Sequence, residues 1–274
     1  MDLRSTVKLN NGVQMPWVGL GVFLSGEGQE TESAVRWALE LGYRHIDTAA
    51  VYKNEKDVGK ALKSSGVPRE QVFVTTKVWN ADQGFESTLK AFDASRRLLG
   101  LDTLDLYLVH WPVKGKYKET WRAMEKLYAQ GKARAIGVSN FLVHHLEDLL
   151  AGAAVVPAVN QVEFHPFLLQ RDLLEFGRAH GIRHEAWSPL TRGKMLSHPV
   201  IGELARKHGR TNAQVLLRWH LQREVVAIPK SVHRERIEEN SKVFDFQLSP
   251  EDMAALDALD NGTRIGPDPD NFDF

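Results

Sequence analysis

Short aliphatic and β-branched runs alternate with longer amphipathic stretches along almost the whole chain. That alternation is the mark of repeated βα units on a parallel sheet. Eight runs read as strands: Trp17 to Leu20, Arg44 to Asp47, Val72 to Lys77, Thr103 to Val109, Ala133 to Val138, Ala158 to Gln161, Arg183 to Trp187 and Val225 to Ile228. The stretches between them have helical period. Glu30 to Leu41 sets Ala34, Ala38 and Leu41 on one face, and Tyr117 to Gln130 does the same with Trp121, Met124 and Tyr128. Gly42, Gly66, Gly100, Gly131, Gly181 and Gly209 each come just after a helical run, where a left-handed residue turns the chain back toward the next strand. Upstream, TVKLNNGVQMP reads as a hairpin of Val7 to Leu9 and Val13 to Met15 across a two-residue Asn-Gly turn, placed to close the bottom of the repeated units. Eight units in about 230 residues match a (β/α)8 barrel. A doubly wound sheet would show fewer strands and a Gly-x-Gly-x-x-Gly fingerprint, of which only Gly19 and Gly21 are present. No Pro-rich, Ser-rich or charged linker divides the chain, so residues 1–274 are expected to form one domain.

Composition narrows the partners. Lys plus Arg is 35 and Asp plus Glu is 35, so no net field draws in nucleic acid or an acidic membrane face. Any anion must be met by a local cluster. The absence of cysteine removes disulfides, thiolate metal sites and a cysteine nucleophile together. The N-terminal MDLRSTVKLNNG has no apolar core of a signal peptide, and the stretch from Leu149 to Val159 is too short to span a bilayer. A soluble, cytoplasmic protein is the expectation.

In such barrels the chemistry sits at the carboxyl ends of the strands. The residues there are Asp47, Lys77, His110, Ser139 with Asn140, Gln161, Trp187 with Ser188, and Lys230. Each has a structural reading of its own: Asp47 as a turn cap, Lys77 as a solvated strand end, His110 as a hydrogen-bonded core histidine. Their joint occurrence at one rim points instead to a site. No Gly-x-Ser-x-Gly elbow occurs, which argues against acyl transfer. A metal-dependent hydrolase would have to draw on His45, Asp47, Glu163 and His165, yet His45 falls one layer below the rim, a core position. Tyr52 lies five residues past Asp47. Its phenol could protonate a forming alkoxide, an ammonium at Lys77 would stabilise the phenolate left behind, and Asp47 would hold that ammonium charged. His110 would then orient the carbonyl oxygen. As a loop aromatic covering apolar surface, Tyr52 is equally well explained.

The segments GYRHIDTAAVYKNEKDVG, LDLYLVHWP, IGVSNF and IPKSVHRERIEEN resemble the signature segments of the aldo-keto reductases, and the resemblance runs from the hairpin to the C-terminal tail. Within the family the chain is most similar to the bacterial branch of 2,5-diketo-gluconate and glyoxal reductases. The resemblance implies a (β/α)8 barrel with a C-terminal loop over the active site, a bound NADPH, and carbonyl reduction by the tetrad Asp47, Tyr52, Lys77 and His110. It implies that Ser139, Asn140 and Gln161 hold the nicotinamide carboxamide, that Trp187 stacks on the ring, and that Ser188 and Leu190 line the pyrophosphate. After the last strand it places Lys230, Ser231, Val232, Arg236, Glu239 and Asn240 around the 2′-phosphate, where a helix N-terminus and two cations favour an anion. His233 stands where relatives often have arginine, which bears on the strength of NADPH preference.

Substrate would meet Phe23, Trp79, Asn80, His110 and Trp111, a mainly aromatic mouth suited to small or medium aldehydes and ketones such as dicarbonyls and keto sugars. The Pro- and Asp-rich GTRIGPDPDNFDF is expected to fold over that mouth as a loop. A monomer is the usual state in the family. The competing readings are a nucleotide-binding regulatory protein on the same scaffold and the metal-dependent hydrolase.

Overall fold

The computed structural model describes residues 1–274. Eight parallel strands form one sheet in chain order: β3 (Leu20–Gly21), β4 (His45–Asp47), β5 (Phe73–Val78), β6 (Leu104–Val109), β7 (Ala133–Ser139), β8 (Val159–Glu163), β9 (Arg183–Trp187) and β10 (Val226–Ala227). The two edges meet. Val18 bridges Ala227 and Gly21 bridges Lys230 in parallel, and Gly19 N–H donates to Ala227 O at 3.0 Å, so the sheet closes into a barrel. The glycine pair that resembles half of a phosphate fingerprint serves this closure. A Cβ at Gly19 would lie 2.6 Å from His45 Nδ1, and one at Gly21 would lie 3.0 Å from Ile228 O.

Helices α1 (Gln29–Glu40), α2 (Glu55–Ser64), α3 (Phe85–Leu99), α4 (Tyr117–Ala129), α5 (Val143–Leu150) and α6 (Arg171–Ala179) each come after a strand. Two helices, α7 (Pro199–His208) and α8 (Asn212–Gln222), connect β9 to β10, and α9 (Arg234–Ser241) and α10 (Pro250–Asp257) complete the chain. Most bury one stripe, whereas α8 is buried all round from Gln214 to Leu221. In α4 the stripe is Thr120, Trp121, Met124 and Leu127, at the spacing that brings side chains to one helix face. All six glycines at the ends of helical runs have positive φ, and at Gly100 and Gly209 that conformation returns two N–H groups to carbonyls of the last turn.

The bottom is closed by the hairpin β1 (Thr6–Lys8) and β2 (Gln14–Pro16), in which Val7 pairs with Met15. Its loop has three residues, not two. Leu9 N–H donates to Val13 O, Gly12 N–H donates to Leu9 O, and Gly12 has φ +88, so a type I turn and then a left-handed glycine connect the strands. The reason is register: Asn10 and Asn11 are drawn outward to donate to Pro157 O and Arg134 O, which ties the hairpin to the barrel. Val7, Leu9 and Met15 pack onto Phe73, Leu106, Ala135 and Val159 as a plug. Other boundaries move by one or two residues, except the start of β3, which lies three residues past Trp17, at Leu20. Two shifts bear on the rim: β5 runs on past Lys77 to Val78, and β8 runs past Gln161 to Glu163, which leaves Gln161 one layer inside the barrel. No helix is long and apolar enough to cross a membrane.

Candidate active site

Lys77 comes from β5 and Asp47 from the end of the neighbouring β4, and both side chains point inward. Lys77 Nζ donates to Asp47 Oδ1 at 2.6 Å and to Thr48 O at 2.9 Å, with the ammonium wholly buried. A buried ammonium persists when its partner is this close and its hydrogens are used. Burial works to lower Lys77, yet Asp47 and Tyr52 together lift it above its ordinary value. Tyr52 closes a single 3-10 turn, Ala50–Tyr52, directly after β4. That turn is pinned by Asn54, whose amide donates to Val22 O at 3.0 Å while its Oδ1 accepts from Thr48 at 2.8 Å. Lys77 Nζ then lies 5.1 Å from the Tyr52 ring centre. Burial raises the phenol and Lys77 pulls it back down.

His110 comes directly after β6 and sets its ring edge-on to both Tyr52, at 5.7 Å between centres, and Trp79, at 5.2 Å. Burial, with Lys77 nearby, pushes its imidazole well below the usual value, so it is neutral at pH 7. The four expected catalytic side chains therefore converge at one rim.

Beneath them lies a layer that the sequence only half discloses. Gln161 Nε2 donates both its hydrogens, to Asp47 Oδ2 at 2.7 Å and to Glu185 Oε2 at 2.8 Å. Glu185, in β9, is absent from the residues that the sequence singles out. His45 sits in the same layer, with Nε2 3.2 Å from Thr75 Oγ1 and 3.6 Å from Glu185 Oε1.

Beside the tetrad, Ser139 Oγ donates to Gln161 O at 2.8 Å, Asn140 Nδ2 donates to His110 O at 2.9 Å, and the Trp187 indole donates to Asn140 Oδ1 at 2.8 Å. Asn140 and Ser188 both hold positive φ, a costly conformation that recurs where strand ends must aim a side chain. Past Ser188 and Leu190 the chain turns so that the Arg192 guanidinium sits 5.6 Å over the Phe23 ring, a contact the sequence does not suggest. The segment after β10 stands apart from the tetrad. Ser231 is buried, and its hydroxyl accepts from His233 N–H at 3.1 Å; Val232 packs on the core and Glu239 accepts from Thr211. Asn240 is buried within α9, which has no side-chain cap at its N-terminus. Lys230 and Arg236 are exposed and, unlike His233 and Arg234, which lie near Glu235 and Glu40, face no carboxylate within ion-pairing reach.

The mouth is aromatic as expected, and the tail closes part of it. Phe23 packs on Tyr52 at 5.0 Å. Phe274 stacks parallel to Trp79 at 5.8 Å and edge-on to Trp111 at 5.2 Å, Phe272 joins Trp111 at 5.1 Å, and Asn80 Nδ2 donates to Phe274 O at 2.9 Å. The Asn80 Nδ2 is thus occupied by the tail, while its Oδ1 has no partner. At the other end of the tail, Glu163 accepts from the N–H groups of Ile265 at 2.6 Å and Gly266 at 3.1 Å, and pairs with His165 at 3.1 Å. A Cβ on Gly266 would come 2.3 Å from Trp187 Cη2, so the tail walls one edge of the indole. Glu163 and His165 are spent on that anchor while Asp47 is spent on Lys77, so the four residues considered for a metal do not converge on one point.

The profile of the Aldo/keto reductase family matches residues 18–261. The chain is 58% identical over 273 residues to a glyoxal reductase of Bacillus subtilis, covering 100% of this chain and 99% of that one. It is 46% identical over 276 residues to a methylglyoxal reductase of Yersinia pestis, covering 99% of each. Among solved structures, a point mutant of Gox0644 in complex with NADPH superposes with a TM-score of 0.94 at 46% identity, covering 98% of this chain and 99% of that one.

Proposed function

The chain belongs to the aldo/keto reductase family, and from that premise we propose that it reduces aldehydes and ketones, small dicarbonyls foremost, to alcohols with NADPH. One observation carries the reading: Tyr52, the Lys77–Asp47 pair and His110 meet at a single rim, beside an indole that is fixed by Asn140. The residues present fit the dinucleotide. Trp187 offers a flat platform held in orientation at its N–H, and Lys230 and Arg236 offer unpaired cations at an uncapped helix N-terminus. Bound there, NADPH supplies the hydride.

The protein's own part is placement and proton transfer. Neutral His110 and the Tyr52 hydroxyl hold the carbonyl oxygen of the substrate between them. As negative charge grows on that oxygen, Tyr52 gives up its proton, and the Lys77 ammonium stabilises the phenolate left behind. Asp47 keeps Lys77 charged and aimed, and the aromatic wall of Phe23, Trp79 and Trp111 with the tail excludes water. Small dicarbonyls suit a mouth narrowed by Phe272 and Phe274, and the names of the Bacillus and Yersinia relatives agree with that size class.

The decisive substitution is Tyr52→Phe. Carbonyl reduction should fall by about 10²–10⁴-fold, the range for loss of a positioned acid, while NADPH still quenches tryptophan fluorescence. Activity within tenfold of wild type would show that the proton comes from elsewhere. We further propose that the protein works in the cytoplasm as a single barrel domain and a monomer: apart from the adjacent pair Phe23 and Leu24, its exposed large apolar side chains, Met1, Leu98, Val156 and Phe274, are scattered singly along the chain.

A further inference from the structure

The relay through Tyr52 leaves one wholly buried acid without a role. Glu185 precedes Trp187 by two residues in β9 and faces inward, with no exposed surface. Its Oε2 accepts from Gln161 Nε2, the same nitrogen that serves Asp47 Oδ2. Its Oε1 has no hydrogen-bond partner and lies 3.6 Å from His45 Nε2. The titratable groups facing it are His45 and Asp47 from β4, Lys77 from β5 and Tyr52 from the loop after β4, while β8 contributes the neutral amide of Gln161.

Two carboxyl groups thus share one ammonium. Lys77 contacts Asp47 directly and reaches Glu185 only by way of the Gln161 amide. If both acids were ionised, a net negative charge would stand in a space closed to water, with one of its oxygens bare. A single proton on the pair removes that cost. Asp47 already has an ammonium at 2.6 Å, whereas Glu185 Oε1 has no cation or donor beside it and faces His45 Nε2, which itself contacts Thr75 Oγ1 at 3.2 Å. Burial and then Lys77 push His45 down to about 3, so it brings no positive charge to Glu185.

We propose that Glu185 is held as a neutral carboxylic acid: a positioning residue whose bare Oε1 carries the proton and whose Oε2 fixes the Gln161 amide, keeping Lys77 and Asp47 a matched pair beneath the Tyr52 hydroxyl. The proposal rests on the relay described above. Burial, then the charge of Asp47, pushes the Glu185 carboxyl up to about 8. Loss of its proton places a second negative charge beside Lys77, which makes the phenol of Tyr52 harder to ionise and weakens it as an acid. Reduction therefore slows on the alkaline side.

Glu185→Gln tests this, because glutamine copies the shape of the protonated acid and cannot ionise. With NADPH and substrate saturating, wild-type kcat should decline as the pH rises through the Glu185 transition and level off at a lower rate once Glu185 is ionised. In Glu185→Gln that decline should begin at least about one pH unit higher. A second readout needs no turnover. Infrared difference spectra between acid and alkaline buffer should show wild type losing a carboxylic-acid carbonyl band that Glu185→Gln lacks and Glu55→Gln, which removes another acid raised by burial, retains. No such band in wild type, an alkaline limb unmoved in Glu185→Gln, or a folded NADPH-binding Glu185→Gln inactive at every pH would each overturn the proposal. Failure of the relay itself registers separately, as an active Tyr52→Phe with the infrared band intact.

Discussion

Two cations of this protein do opposite work, and their surroundings decide which. Lys77 is enclosed, two of its three hydrogens given to Asp47 and Thr48, so its charge acts only on what lies within the barrel, above all the phenol of Tyr52. Arg236 stands in water on the first turn of α9, unpaired, with Lys230 nearby in sequence and free backbone donors beside it. An exposed guanidinium in that position gains little from the fold and is available to a doubly charged phosphate, to which it can present two parallel hydrogen bonds. Replacing Arg236 by alanine should raise the dissociation constant for NADPH by about tenfold or more, on the order of 1.4 kcal/mol, while changing that for NADH by less than about twofold. Titration of each nucleotide against tryptophan fluorescence checks it, and equal losses for both would place the 2′-phosphate elsewhere. With His233 near Glu235 and Arg234 near Glu40, Arg236 is the arginine of α9 without a carboxylate partner.

Among the elements, α10 shows how a helix outside the repeat is held. Its N-cap Ser249 and the third helical residue, Asp252, form a reciprocal capping box, and the same Asp252 carboxylate receives Lys207 at 2.6 Å and His208 at 2.7 Å from the end of α7. Burial acts against the carboxylate, but Lys207, His208 and the Ser249 N–H hold it down to about 2. A carboxyl whose folded value lies below its unfolded one adds stability above the unfolded value, and that contribution drains away as the pH falls through the folded one. The window here is from about pH 4 to about pH 2. Asp252→Asn should therefore lower the urea midpoint at pH 6 and converge on wild type by the acid end of that window; a gap that stayed constant with pH would mean the pairing contributes through shape and not charge. Such elements also mark the limit of what the chain discloses in advance. The capping signals Ser249-Pro250 and Thr211-x-x-Gln214 are local and readable, whereas the joining of α10 to α7 depends on residues 45 positions apart.

At the scale of the whole barrel, the two ends divide the labour. The rim was legible because strand ends in a βα repeat are countable, and polar residues at those ends stood out against aliphatic runs. The acids away from the rim were not legible: Asp105 interrupts an apolar segment, Glu185 follows the polar Arg183 and His184, and their partners come from other strands, so nothing in the local pattern says whether such an acid is buried. Asp105 lies in β6 with almost no exposed surface, accepts from Val74 N–H at 2.9 Å, and binds Arg69 at 2.6 Å and Arg134 at 2.7 Å. It joins β5, β6 and β7 toward the hairpin end, while the tetrad stands at the opposite end of the strands. Both guanidinium groups keep contact with solvent, so the ion pairs themselves contribute little; the larger loss on removing Asp105 is an unsatisfied buried N–H at Val74. Asp105→Ala should cost about 2 kcal/mol of unfolding free energy, read as a lower denaturant midpoint with an unchanged slope. Because the rim is built from other layers, kcat/KM of the folded variant should stay within about twofold of wild type. A variant that kept its midpoint would show that Arg69 and Arg134 find other partners, and one that lost activity while folded would show that the bottom of the barrel sets the geometry of the top.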